Sequence, residues 1–200
     1  MALFYYWKEL VDNIWELDPA AHSCLEIMLF YPGFHALVLH SLAHYCFQKN
    51  WRLLASMIAF YSRMITGIEI HPGAEIGRRV FIDHGSGVVV GGTSIIGDDV
   101  LIYQGATIGT TAAGHMGAAT RDKKRHPTIG NKVIIGSGAK ILGNIEIGDN
   151  CRIGPLAIVL ENLAPGTLVI AQTGKIVTKS VKSTAANNSG QSDEFFTYSI

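Results

Sequence analysis

The chain has 200 residues, 48% of them hydrophobic and 16% charged, with 16 lysines and arginines against 16 aspartates and glutamates. That size supports one globular core with a smaller appendage, and a formal net charge of zero excludes a global field that would gather nucleic acid or an anionic membrane. The three cysteines, Cys24, Cys46 and Cys151, are an odd number without paired spacing, which argues against a disulfide framework or a four-ligand zinc site and fits a reducing compartment.

The N-terminal sequence has no basic run followed by an apolar stretch and a small-residue cleavage site, so no export signal is read and a cytoplasmic location is expected. From Met1 to Thr66 the apolar residues recur at three and four, as at Leu53, Leu54, Met57, Ile58 and Tyr61, which predicts an α-helical N-terminal domain of about three helices over residues 1–66. Asp18-Pro19 reads as a helix start and Tyr31-Pro32-Gly33 as a break between helices. Leu25 to Phe47 is the most apolar stretch, but Glu26, Pro32-Gly33, His35, His40 and His44 interrupt it, so a buried helical hairpin is expected and no membrane span. His40 and His44 stand one helical turn apart without an evident third ligand, and no metal site is read there.

From Ile70 the period changes to six. Ile70, Ile76, Ile82 and Val88 are six apart; after a two-residue slip the series continues at Val90, Ile96, Ile102 and Ile108, then after a longer interruption at Ile129, Ile135, Ile141, Ile147, Ile153 and Val159. Four places after these positions sits a second apolar or small set, Ala74, Val80, Ser86, Val100, Ala106, Val133, Ala139, Ile145, Cys151 and Ala157, which must share the interior. Neither a helical period of 3.6 nor a hairpin period of 2 produces this pattern, whereas a solenoid with six-residue flat faces does. The fold is therefore expected to be mainly β, a parallel β-helix over 67–178 whose stacked rungs supply the core.

Between Ile108 and Ile129 the register is lost, and an excursion loop at 110–127 carries Lys123, Lys124, Arg125 and His126. Long excursions from a rigid scaffold are where binding and catalysis concentrate. Beyond Lys179 the composition turns to Ser, Thr, Asn, Gly and Gln, predicting a flexible tail over 179–200 that ends at Ile200.

Six segments in this order resemble the serine acetyltransferase family: Asp18-Pro19-Ala20-Ala21, Gly33-Phe34-His35-Ala36-Leu37, Gly67-Ile68-Glu69-Ile70-His71-Pro72, Ile82-Asp83-His84-Gly85, Arg125-His126-Pro127 and Gly138-Ala139-Lys140-Ile141-Leu142-Gly143. The resemblance implies a left-handed β-helix, a hand that spacing alone does not give because parallel crossovers are usually right-handed. It also implies a homotrimer with active sites between subunits, and a hexamer where the helical part is longer. Carried residue by residue, it makes His84 the general base, Glu69 the carboxylate that orients it, Asp18 and Asp83 the contacts to the substrate ammonium, and Arg125 and His126 the holders of its carboxylate side. The implied cosubstrate is acetyl-CoA, met by the backbone near Gly109, Thr110 and Ser137 and by Lys175 at a phosphate, with no metal. Ile200 implies a partner, because family members present a C-terminal isoleucine to the sulfhydrylase that uses O-acetylserine.

The implied chemistry suits these residue types. A serine hydroxyl is a weak nucleophile until a base of near-neutral pKa takes its proton, and a carboxylate behind that base fixes its tautomer. The chain departs from the family at Gly91-Gly92-Thr93, where Gly-Glu-Thr is usual, and at Thr110, where glycine is usual. Two alternatives stand beside serine acetylation: transfer to another small hydroxyl or amine acceptor such as homoserine or an amino sugar, and a catalytically silent β-helix that binds the sulfhydrylase through its tail. Asp18, Asp83 and Arg125 are the discriminating features against a sugar acceptor, because an α-amino acid needs anionic and cationic contacts together and a sugar does not.

Overall fold

Four helices precede the repeat in the computed structural model, which describes residues 2–111, 123–172 and 174. They are α1 (Ala2–Leu17), α2 (Cys24–Phe30), α3 (Pro32–Gln48) and α4 (Arg52–Thr66), one more than the spacing predicts. The extra element is α2, seven residues long, whose N-cap Ser23 hydroxyl accepts the Glu26 amide at 3.1 Å while Glu26 accepts the His22 amide at 2.9 Å. Asp18-Pro19 does not start a helix as expected. Asp18 Oδ1 instead accepts the Ala20 amide at 2.8 Å, a side-chain turn that replaces the next helical hydrogen bond just after α1 ends. Tyr31 does separate α2 from α3, with Pro32 at the first helical position and a bend of 68° between the two. Among the described residues no single helix is long and apolar enough to cross a membrane.

The repeat folds as a parallel solenoid of three faces. Its first coil is β1 (Glu69–Ile70), β2 (Glu75–Ile76) and β3 (Phe81–Asp83); its second is β4 (Val89–Val90), β5 (Ile95–Ile96) and β6 (Leu101–Tyr103). The third is β7 (Thr107–Gly109), β8 (Thr128–Ile129) and β9 (Ile134–Ile135), the fourth β10 (Lys140–Leu142), β11 (Glu146–Ile147) and β12 (Arg152–Ile153), and a last, shorter coil holds β13 (Ile158–Val159) and β14 (Leu168–Val169). Equivalent strands stack in parallel, so face A runs β1-β4-β7-β10-β13, face B β2-β5-β8-β11 and face C β3-β6-β9-β12-β14. The six-residue positions fill the interior, with Ile82, Ile102, Ile108, Ile129, Ile135, Ile141 and Ile153 fully buried.

Two positions of the expected register are corrected. Ile70 pairs with Val90, so Val90 is the equivalent of Ile70 and Val88 takes the second interior place, its carbonyl accepting the Glu69 amide at 2.9 Å. Ser86, expected inside, is exposed. The two additional residues are spent at the corner after β3, where His84, Gly85 and Gly87 have φ of 57°, 72° and 73°. A side chain at Gly85 would be strained in that conformation and would place its Cβ 2.4 Å from Ile68 Cδ1. The widened corner projects the His84 side chain outward.

The helices close the first coil, whose strand edges would otherwise lie open. Gly33 lets the start of α3 sit directly on β3, since a Cβ there would fall 2.0 Å from the Ile82 carbonyl oxygen. Asn13 of α1 donates to the Arg79 carbonyl at 2.8 Å, and Glu9 pairs with Arg78. The apolar stripe of α4 faces away from this packing: Leu53, Met57, Tyr61, Met64 and Ile65 are exposed, while Ala55, Ser62 and Thr66 form its buried side.

Candidate active site

Three faces meet at three edges, and the candidate residues lie on the two edges that flank face A. On the edge from C to A, Asp83 ends β3 and His84 occupies the widened corner with its side chain 74% exposed. His84 Nε2 is 3.9 Å from Asp83 Oδ1. Asp18 reaches the same end of the solenoid from the turn after α1, and its Oδ2 accepts the Tyr31 hydroxyl at 2.7 Å. Burial, the hydrogen bond to Asp18 and the negative charges of Asp18, Glu26 and Asp83 push the Tyr31 phenol up to about 12. Tyr31 therefore stays a proton donor and lies in the field of both aspartates expected to face the ammonium. Nothing in its sequence context marks it, since Tyr31 reads only as the break between two helices.

Glu69 opens face A beside this edge. Its carboxylate accepts from Arg63 Nη1 at 2.9 Å, in a half-exposed pair, and is not paired with His84 within the protomer.

The edge from A to B carries the other candidates. Gly109 and Thr110 lead into the excursion, and Arg125 and His126 close it ahead of β8. Thr93, at the equivalent corner one coil earlier, gathers that closing segment. Its Oγ1 accepts the amides of Arg125 at 3.1 Å and His126 at 3.2 Å and lies 2.8 Å from His126 Nδ1, while its carbonyl accepts Lys124 Nζ at 2.9 Å. The buried His126 ring rests on Gly91, where a Cβ would stand 2.0 Å from its Cδ2. Arg125 sits near enough to His71 that its charge, after burial, depresses the His71 imidazolium. Gly92 suits this neighbourhood, because a Cβ there would lie 2.7 Å from His71 Nδ1.

Ser137 belongs to the C to A edge, in a groove shared with Tyr103, Arg152 and Pro155, and its carbonyl accepts the Leu156 amide at 2.8 Å. Lys175 and Ile200 lie outside the described residues, as do positions 112–122 of the excursion. The protomer thus brings Asp18, Asp83 and His84 together and, separately, Arg125 and His126. Between the two groups stands the width of face A, about six residues at ~3.3 Å, or on the order of 15–20 Å.

A family model, bacterial transferase hexapeptide (six repeats), matches residues 126–160. The serine acetyltransferase of Helicobacter pylori is 47% identical over 169 residues, which are 84% of this chain and 95% of that protein. The chain belongs to the serine acetyltransferase family. The serine acetyltransferase of Synechococcus elongatus is 47% identical over 84% of this chain, and this family member spans only 66% of that relative's length. In three dimensions it is similar to soybean serine acetyltransferase complexed with serine, with a TM-score of 0.79 and 35% identity over 88% of this chain and 69% of the soybean chain.

Proposed function

We propose that this chain transfers the acetyl group of acetyl-CoA to the hydroxyl of L-serine, releasing O-acetyl-L-serine and CoA, at sites formed between copies of the chain. The observation that carries the proposal is the division of complementary groups between two edges. The C to A edge holds the imidazole and two carboxylates, suited to a hydroxyl and an ammonium; the A to B edge holds Arg125 and His126, suited to a carboxylate. Juxtaposing the C to A edge of one copy with the A to B edge of the next assembles every contact an α-amino acid needs, and a closed ring of three copies repeats that contact three times. Exposed apolar side chains along α4, and Ile158 and Leu160 on the last coil, supply surface for such an assembly.

In that site the α-ammonium lies between Asp18 and Asp83, which leaves the serine hydroxyl beside His84. The imidazole takes the hydroxyl proton as the oxygen attacks the thioester carbonyl carbon. A C–O ester bond forms, the C–S bond breaks, and the proton passes from His84 to the departing CoA sulfur. Glu69 is assigned to hold the imidazole in its reactive tautomer, which requires its side chain to turn from Arg63. The backbone at Gly109, Thr110 and Ser137 and the side chain of Lys175 are assigned to acetyl-CoA. Ile200 extends the proposal to a sulfhydrylase partner; binding unchanged by deletion of residues 199–200 would remove that partner.

The test is CoA release with acetyl-CoA and a panel of L-serine, homoserine and glucosamine. Serine-dependent release that falls about 10²-fold or more in His84→Ala is expected. Mixed assemblies of His84→Ala with Arg125→Ala are expected to recover part of the lost activity, because some of their sites unite an intact His84 with an intact Arg125. Preference for another acceptor, or no recovery in verified mixed assemblies, would overturn the substrate or the shared site respectively.

A further inference from the structure

The geometry points to Thr93 as the positioning residue that fixes His126 as a neutral imidazole with its proton on Nε2, so that His126 serves the acceptor as a hydrogen-bond donor and not as a second base. Four contacts carry this. The Thr93 Oγ1 lone pairs are engaged by the Arg125 amide at 3.1 Å and the His126 amide at 3.2 Å, so the hydroxyl proton is directed to its remaining neighbour, His126 Nδ1 at 2.8 Å. The backbone amide of Thr93 also donates to Nδ1, at 3.2 Å. A ring nitrogen that accepts from an amide and a hydroxyl carries no proton, so the neutral ring carries its proton on Nε2. Protonating Nδ1 would turn an acceptor toward two donors and break both bonds.

The consequence reaches beyond one ring. The same threonine holds three successive residues of the excursion, Lys124 through its carbonyl and Arg125 and His126 through its hydroxyl, so one side chain holds both the backbone that carries Arg125 and the imidazole of His126. Of the two imidazoles assigned to the acceptor, only His84 is then left to receive a proton. Valine at 93 matches threonine in shape but withdraws the hydroxyl, leaving two amides without their acceptor.

The tautomer is read by long-range ¹H–¹⁵N correlation on the full-length protein labelled with ¹⁵N-histidine at pH 8, with His126→Asn assigning the resonance. The expected result is an unprotonated Nδ1 and a protonated Nε2 in the wild type, and a mixture or exchange of tautomers in Thr93→Val. The kinetic arm rests on the acetyl-transfer proposal: Thr93→Val is expected to raise KM for L-serine roughly ten-fold with KM for acetyl-CoA nearly unchanged, and Thr93→Ser to keep both the single tautomer and the wild-type KM for L-serine. A proton on Nδ1 in the wild type overturns the inference whatever the activity. Wild-type KM in Thr93→Val, in a protein that turns over serine, overturns the positioning role. Absence of turnover in the wild type bears on the proposed reaction and leaves the tautomer to decide this inference.

Discussion

Replacing Gly91 by alanine isolates the packing on which His126 depends. The glycine follows β4, its amide donates to the Ile108 carbonyl at 2.9 Å, and its backbone is outside the left-handed region, so alanine keeps the local fold. The added methyl would stand 2.0 Å from His126 Cδ2 and 2.2 Å from Nε2. Reaching ordinary van der Waals separation requires the ring to retreat by about 1.4 Å. Thr93 lies two residues further round the same corner, so that retreat also lengthens the contacts to Nδ1, now 2.8 and 3.2 Å. A displacement of about 1 Å in a substrate-holding group is worth on the order of 10²-fold in rate, while the overpacking costs about 1–3 kcal/mol of stability. The expected outcome is a fall of that order in kcat/KM for L-serine, measured at 25 °C in a protein with wild-type circular dichroism. The loss should vanish as an independent effect in a His126→Ala background, where the methyl meets no ring. A Gly91→Ala enzyme within three-fold of wild type, or one equally impaired with and without His126, would refute the reasoning.

Tyr31→Phe removes the hydroxyl that donates to Asp18 and is expected to raise KM for serine by about ten-fold with kcat nearly unchanged, the worth of a hydrogen bond to a charged group; initial-rate kinetics decide it. Gly33→Ala drives a methyl against the Ile82 carbonyl, backbone against backbone, and is expected to cost about 3 kcal/mol or more in thermal or urea unfolding as α3 lifts from the first coil. His40, buried in α3, has its imidazolium pulled down to about 4 by burial and then by the charge of His44. Because the folded value lies below the unfolded 6.5, the unfolded chain binds the extra proton between pH 6.5 and 4. Stability should therefore fall on acidification through that window, by about 3 kcal/mol in all. Urea titrations at pH 7 and pH 5 should show a smaller difference for His40→Phe than for wild type.

The solenoid was legible because its signal is redundant. Thirteen of the fourteen six-residue positions, from Ile70 to Val159, line the interior in the stated register. The exception, Val88 with Ser86, marks the place where the chain leaves its period to widen a corner. Two candidate partners for Ile70 were available, Val88 at six-residue spacing and Val90 after the slip, and only strand pairing distinguishes them. That ambiguity falls on the corner that carries His84, so the local rule fails where a side chain is presented outward at a φ of 57°, a conformation that costs energy in a residue other than glycine. The helical segment was legible in kind but not in division, since α2 depends on a Ser23 and Glu26 cap no longer than one turn. The apolar period of α4 was visible as well, but period gives a face and not what covers it.

The candidate site was legible as a set of residue types and not as a place. His84 and Arg125 are 41 positions apart, and in a solenoid sequence distance resolves into two coordinates, the coil and the edge. Coil number follows from counting repeats, but the edge follows only once the widened first coil is placed in register. With that correction, His84 falls on the C to A edge and Arg125 on the A to B edge, and no movement short of unwinding face A joins them in one protomer. The proposed site between copies then follows from the register rather than from an accident of assembly. A chain whose first coil lacked the two additional residues would keep every candidate residue type and lose the outward corner that, in the proposed site, offers His84 to a neighbouring copy.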